Sequence, residues 1–472
     1  MKRFCVSKLQ TGRFTRPARL LAIIAVFMAG TAGARAQNDA STDFQFDLSG
    51  ETRARYESLD GQFRAGRAGS DQALFLRTLL HARLTTPVAR FGIELQDSRA
   101  YFDDSGTPLS TGTVNPLDIL QAYVRVETPS VFGDGSDAHL TLGRQTVSIG
   151  SKRQIERISY ANVIKSHTGA YYTATSARGD RFHALMLAPV ARHPGDRVAI
   201  GDNQMSGDEE EWNRTIWAVH YQRPDLIPDF WPGLSGDLFV YGLEERDTDA
   251  RPTPNRHYVT PGFRLHRAPA TGRLDLDLEA AWRFGRRRAS SAATDTTNLD
   301  VSAGMLFAAL GYTFEHAWKP RMALEYYWAS GDEDPNDGRF DQYERLFGSR
   351  RTDLNNTSLH GPLTPANLNA PGIRLEVAPA PDWDGRLAWS AASLDSNTDR
   401  WVIANLRDET GQSGSFVGHT LDGRVRYHGL AEGLELEVGA SLLLPGEFAD
   451  NAPGSPAPDR TLFGYAQATF AF

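Results

Sequence analysis

Cysteine is almost missing: the 472-residue chain has one, Cys5. A disulfide scaffold, a thiolate nucleophile and a Cys-ligated metal are thereby excluded. Long apolar runs are also missing, since no stretch beyond the N-terminus reaches the roughly 18 consecutive apolar residues of a spanning helix. Lysine is scarce, with only Lys152, Lys165 and Lys319 after position 36, and the acidic balance removes nucleic acid as a partner. Twelve scattered histidines come without H-E-x-x-H, a G-x-S-x-G elbow or a phosphate-binding glycine loop, so no catalysis and no cofactor is implied. What is present is 43 Gly, 25 Pro and 10% aromatics, the composition of an ordered, turn-rich β protein.

Residues 1–36 have the three parts of a secretory signal: basic Lys2, Arg3, Lys8, Arg13, Arg16 and Arg19, an apolar stretch over 20–33, and Ala34-Arg35-Ala36 as an A-x-A site. Cleavage is expected before Gln37, leaving 37–472 as one exported domain. The leader takes seven of the 50 Lys and Arg and none of the 58 Asp and Glu, so the remainder holds 43 basic against 58 acidic groups. Forty of those 43 are arginine. Either carboxylate recognition by guanidinium forks or a GC-rich genome accounts for that skew.

Periodicity is clear from the first segment. Over 44–57, Phe44, Phe46, Leu48, Gly50, Thr52, Ala54 and Tyr56 alternate with Gln45, Asp47, Ser49, Glu51, Arg53, Arg55 and Glu57. This is period two, a strand with one apolar and one polar face. The stretches 273–284 and 421–428 repeat it, and similar segments begin near Ala73, Arg90, Ile119, His139, Gly169, Arg181, Trp212, Gly236, His257, Asp300, Arg321, Gly372, Gly385, Leu434 and Arg460. Strands of about ten residues are what a tilted bilayer crossing needs, whereas soluble strands average five or six.

Connections alternate in length. Short ones fall at 85–89, 128–138, 176–180, 224–235, 267–272, 316–320, 378–384 and 429–433; longer ones at 58–72, 97–118, 146–168, 190–211, 244–256, 285–299, 330–370, 394–420 and 445–459. The expected fold is therefore all-β: a single transmembrane antiparallel β-barrel of about 18 strands, with short periplasmic turns and long extracellular loops, in the outer membrane of a Gram-negative bacterium. Outward aromatics such as Tyr56, Trp217, Tyr221, Trp282, Trp328, Trp389 and Tyr427 suit an interfacial girdle against outer-membrane lipid and lipopolysaccharide. The last segment alternates to a terminal Phe472, as outer-membrane barrels do.

A barrel of this size holds an aqueous channel, so inward residues describe the solute. The alternation assigns Arg53, Arg55, Arg77, Arg83, Arg125, Arg374, Arg424 and Arg426 to the lumen as anion-binding residues, opposed by the carboxylates Glu51, Glu94, Glu127, Asp275, Asp277, Glu279, Glu376, Asp422, Glu435 and Glu437. Pairing of these charges across neighbouring strands, merely stiffening the wall, is the alternative for any one arginine. The longest connection, 330–370, is the first candidate for folding over or into the channel.

Leu142-Gly143-Arg144-Gln145 followed by Glu156-Arg157 resembles the GRQ segment of the alginate export porin family. Ser330-Gly331-Asp332, Phe340-Asp341, Leu346-Phe347-Gly348, Leu406-Arg407-Asp408, Gly411, Gly414, Phe416-Val417-Gly418-His419, Leu421-Asp422 and Leu444-Pro445-Gly446 continue the likeness in order. The resemblance implies an eighteen-stranded porin that passes a polyanionic polysaccharide through an arginine-lined constriction, with room for a periplasmic export scaffold as partner. It carries Arg144 over directly as a pore residue, although alternation puts Arg144 on the outward parity. It carries Arg77, Arg374, Arg424 and Arg426 by strand order.

Asp332, Asp334, Asn336 and Gly338, with Glu344, resemble a calcium loop carrying one residue too many, and a solvated acidic loop is the simpler reading, so no metal is assigned. Arg286-Arg287-Arg288 suits lipopolysaccharide phosphates, an anion-catching mouth or a plain basic tip, and 208–211 a charged loop. Two functions stay open: passage of an anionic polysaccharide of the alginate type, and general or small-solute uptake of ions, sugars or small acids through the same fold.

Overall fold

The computed structural model describes residues 44–354 and 356–472; the expected leader lies outside the described residues. Twenty strands follow one another there: β1 (Gln45–Asp60), β2 (Ser70–Thr85), β3 (Arg90–Tyr101), β4 (Asn115–Glu127), β5 (Asp137–Gln145), β6 (His167–Thr175), β7 (Arg181–Ala191), β8 (Glu209–Glu210), β9 (Arg214–Arg223) and β10 (Leu234–Glu245). The second half is β11 (His257–Arg267), β12 (Leu274–Arg287), β13 (Leu299–Thr313), β14 (Arg321–Ala329), β15 (Arg339–Phe340), β16 (Leu368–Ala380), β17 (Trp383–Ser393), β18 (Phe416–Tyr427), β19 (Leu434–Pro445) and β20 (Thr461–Ala471). Two of these, β8 and β15, are two-residue pieces of loops. The other eighteen pair antiparallel with their neighbours, and β1 closes the ring by pairing with both β2 and β20: Arg55 stands opposite Phe75 on one side and Gln467 on the other. No edge is left to pair elsewhere. Among the described residues no helix is long and apolar enough to cross a membrane; the crossing is made by strands.

The alternation sorts side chains in the inverse of a soluble protein. On β1, Arg53, Arg55 and Glu57 are buried inside the ring, while Phe46 and Leu48 are 65% and 56% exposed on its outside. Leu238, Leu324 and Val438 continue that outer apolar band, whose solvent is lipid. Aromatics mark its margins: Trp383 and Tyr427 lie 4.4 Å apart, Trp282 and Trp328 6.2 Å apart. Gly304 sits beneath the second pair, where a Cβ would come within 2.6 Å of the Trp282 ring, so only glycine admits the two indoles.

Strands reach further toward the long loops than alternation indicates. β4 begins at Asn115 rather than near Ile119, and β18 at Phe416 rather than Leu421, because beyond the lipid band both faces are polar and the period-two signal fades while the ladder continues.

The core sits inside the ring. Val147, Ile149 and Ile155 of the connection 146–166 pack with Tyr343, Leu354 and Leu363 of 330–367 against the wall residues Phe239, Tyr241, Phe307 and Tyr327. The two inward connections bridge each other: Phe347 N donates to Gln154 O at 3.1 Å, Glu156 N to Phe347 O at 3.2 Å and Ser349 N to Lys152 O at 3.0 Å. At Gly348 a Cβ would lie 1.8 Å from Arg153 O, so this approach also requires glycine. The longest connection thus enters the channel, and it does so joined to a second one.

Candidate functional site

The inward arginines of β1 and β2 meet a loop. Arg53 Nη1 donates to Ser159 O and Tyr160 O at 3.1 and 3.0 Å, and its Nη2 to Ala161 O at 3.0 Å. Arg77 Nη1 donates to Ser159 O and Ala161 O, both at 2.6 Å, and Arg55 Nη1 to Tyr160 O at 2.8 Å. Glu51 pairs with Arg77, and Arg55 Nε lies 2.7 Å from Glu57. Charge-assisted bonds of this kind contribute about 1.5–3 kcal/mol each, so three buried guanidinium groups hold the inward connection against the wall.

Most of the other strand charges also have partners. Glu94 binds Arg157 at 2.6 Å. Asp275 binds Arg321 at 2.5 Å. Asp277 binds Arg153 at 2.8 Å and Arg264 at 2.7 Å. Asp422 accepts from Arg386 at 2.8 Å and from Asn356 N at 2.9 Å. Arg374 is 2.9 Å from Glu325 and donates to Thr352 O and Asp353 O. Arg83 is 3.2 Å from Asp47, and Arg125 Nε donates to Thr141 at 3.0 Å. Glu127 is exposed at the end of β4. Alternation missed Arg153, from the connection 146–166, which reaches Asp277, Glu279 and Asp353 at 2.8–2.9 Å and ties both inward connections to β12.

Arg144 is corrected. Its strand neither bulges inward nor stops, because Arg144 stays in register with Ala122 and Thr168. On the same outward parity as the 41%-exposed Leu142, it binds Glu210 at 2.7 Å and Asp118 at 3.3 Å, and Glu210 also accepts from Thr168. This arginine fastens the connection after β7 to the outer face of the wall and does not line the lumen. The residues of the calcium-like loop do not converge. Glu344 is drawn away from Asp332, Asp334 and Asn336 by Arg287 at 2.6 Å and the Tyr258 hydroxyl at 2.8 Å, while Asp334 caps Asn336 N. Among the described residues no metal-ligating cluster forms.

Two cavities gather most of the remaining cations. The first, about 320 Å3, lies at the long-loop level and contains Lys165, Arg192, Arg345, Arg350 and Arg351, with Tyr160, Asn162 and several hydroxyl side chains but no carboxylate. Of these five cations only Arg351 has a carboxylate partner among the described residues, Glu437 at 2.7 Å; its guanidinium also lies 3.4 Å from the Tyr160 ring centroid. Arg350 Nη1 donates to Gly361 O and Leu363 O, both at 3.0 Å, and Arg345 to Gly348 O. Burial, and then the nearby Arg345 and Arg64, push the Arg350 guanidinium down to about 9. Burial also lowers Arg345 and Arg192, against the opposing pull of Glu156 near the first and of Asp208 and Glu211 near the second. Sequence pattern missed Lys165, Arg192, Arg345 and Arg350 because they sit on aperiodic connections; the available signal was the clustering of Arg345, Arg350 and Arg351 in the longest one.

The second cavity, about 480 Å3, lies toward the short turns and gathers Arg424 and Arg426 with Lys319, Arg321, Arg386, Glu376 and Asp384. Here carboxylates face the cations: Arg426 is 3.0 Å and Arg424 3.5 Å from Asp384. A closed barrel with an apolar exterior, a charged interior and two inward connections that narrow its lumen is an outer-membrane porin, a channel and not an enzyme.

The chain belongs to the alginate export family, whose model matches residues 44–463. It is similar in fold to three Pseudomonas aeruginosa structures. OccK9 (OpdG) superposes with TM-score 0.59 at 11% identity, over 91% of this chain and 98% of that one. OccK2 (OpdF) in complex with glucuronate gives 0.55 at 12%, over 90% and 96%. The outer membrane protein opdK gives 0.55 at 11%, over 90% and 98%. No curated protein matches the chain by sequence.

Proposed function

We propose that this porin passes anions, with an alginate-type polyuronate as its solute. The observation that carries the reading is the cavity whose lining holds five cations and no carboxylate. Polymer carboxylates, about one per sugar, would exchange water for guanidinium and ammonium donors there, and the mixed charges of the second cavity would loosen the hold so that the chain can leave. Membership of the alginate export family is the second support.

Uptake of a single uronate or similar small acid is the other reading, favoured by size. The cavity, about 320 Å3, is at the low end of the roughly 300–1,000 Å3 typical of small-molecule sites, and OccK2, of the same fold, is seen with glucuronate. Reversal potentials of the refolded protein in a planar bilayer, with polymannuronate or glucuronate added, test both. Anion selectivity with block by polymer at lower concentration than by monomer supports the first, and equal block by both supports the second. Cation selectivity with no block sinks both.

A further inference from the structure

The cavity that supports the anion reading contains one ammonium among its guanidinium groups. Lys165 ends the connection 146–166 and is half-buried. Arg345 and Arg350 from 330–367 and Arg192 from the segment after β7 all act on it as positive neighbours, and His167, two positions on, begins β6. The only ring near its ammonium among the described residues is Phe347, at 5.9 Å, and no described residue gives it an ion pair. Such a lysine either takes an anion from solution as its partner or gives up its proton, and three neighbouring guanidinium groups favour the second whenever the cavity holds no anion.

We propose that Lys165 makes anion passage proton-controlled: protonated, it completes the cationic lining and is balanced by the passing anion; neutral, it leaves the cavity one charge weaker. The inference rests on the anion reading above. Linkage gives the sign. Burial, with Arg345, Arg192 and Arg350 after it, lowers the Lys165 ammonium from 10.5 to about 7, so the charge is present in acid and is lost as pH rises through neutrality. An anion in the cavity raises that value, and binding therefore takes up a proton. One other group nearby titrates in this range. Asp208, beside Arg192, is pushed up to about 6 by burial, then opposed by its hydrogen bond from His193 N and raised further by Asp118. Its ionisation at higher pH also weakens the cationic field, so the test must separate the two. Glu156, near Arg345, is likewise raised by burial, whereas burial, then Arg64 and Arg350, push His360 down to about 3, so it stays neutral throughout.

The experiment measures reversal potentials of the refolded full-length protein in KCl gradients at pH 5.5 and 8.5, for wild type, Lys165→Arg and Lys165→Gln. In wild type the chloride-to-potassium permeability ratio should fall roughly threefold between these values, the Boltzmann weight of one unit charge acting across several ångströms of hydrated lumen. Lys165→Arg should hold the acid ratio at both pH values, and Lys165→Gln the alkaline ratio at both. A wild-type ratio that does not change with pH overturns the proposal while leaving the anion reading intact. A full pH swing retained in Lys165→Gln also overturns it, assigning the swing to Asp208, Glu156 or Arg350. Cation preference at every pH in wild type overturns the anion reading itself. Should Lys165→Arg not refold, the glutamine variant alone decides.

Discussion

Arg53 and Asn162 stand 109 positions apart in the chain and meet inside the ring, Nη2 of the arginine donating to Oδ1 of the amide at 3.3 Å. The same amide nitrogen donates to Leu76 O and Arg99 O at 3.3 Å and to Thr113 O at 2.7 Å. One short side chain therefore joins the inward connection to β1, β2, β3 and the segment ahead of β4.

Asn162→Ala should release that connection without opening the barrel. Leaving buried carbonyls and a guanidinium without their partner costs about 3 kcal/mol of local stability. We expect larger and noisier single-channel conductance, weaker anion preference, and an unchanged heat-modifiable gel shift of the folded barrel. Unaltered conductance would show that 146–166 does not set the narrowest point.

Arg192→Gln and Arg345→Gln remove cations that have no carboxylate partner among the described residues, so neither strands a buried anion. Each should lower the chloride preference about twofold to threefold and weaken polymannuronate block. Block titrations in planar bilayers check this, and undiminished block in the double variant would remove the cavity from the anion path.

Arg153→Met leaves Asp277, Glu279 and Asp353 without the cation that binds all three, and only Asp277 keeps another close partner, Arg264 at 2.7 Å. Breaking a buried ion network costs about 3–5 kcal/mol. The variant should unfold at lower temperature in the gel-shift assay and conduct potassium more readily. A stable, still anion-selective variant would show that the tie between the two inward connections and β12 is dispensable.

Arg144→Ala probes the opposite expectation. With its partners Glu210 and Asp118 on the outer face, the substitution should leave reversal potential and polymer block unchanged. It should instead speed proteolytic nicking of the connection after β7. Altered ion selectivity would return Arg144 to the lumen.

Asp332 supplies a stability test with pH. Burial, then Asp399, Asp341 and Asp337, push its carboxyl up from 3.8 to about 6. A raised acid is preferred protonated by the fold, so the local stabilisation is complete below about pH 3.8 and is lost as pH rises through about 6. Protection factors of the segment 330–337, with the base-catalysed rise of intrinsic exchange divided out, should be higher at pH 5 than at pH 8, and Asp332→Asn should flatten the difference. Equal protection factors in the wild-type protein would contradict the assignment.

All eighteen barrel strands were legible because period-two alternation needs only the two faces to differ in polarity, and lipid on one side with polar lumen on the other supplies that difference. Parity was legible too: Arg53, Arg55 and Arg77 face inward as alternation indicates, and Arg144 faces outward as alternation indicates, against the likeness of its motif. What those arginines touch was not legible. Their acceptors are carbonyls about a hundred positions away, on a connection with no period of its own. Lys165, Arg192, Arg345 and Arg350 escaped for the same reason, since convergence of three aperiodic segments leaves no trace in local sequence.

The bridge between Ile155 and Phe347 makes the two inward connections one mechanical unit seated in a ring of anchoring side chains. The wall serves as a socket and the bridged pair as an insert, so the lining can diversify without re-founding the barrel. Replacing 330–367 alone would break the seam at Phe347, whereas replacing it together with 146–166 would carry one solute preference into another protein's ring.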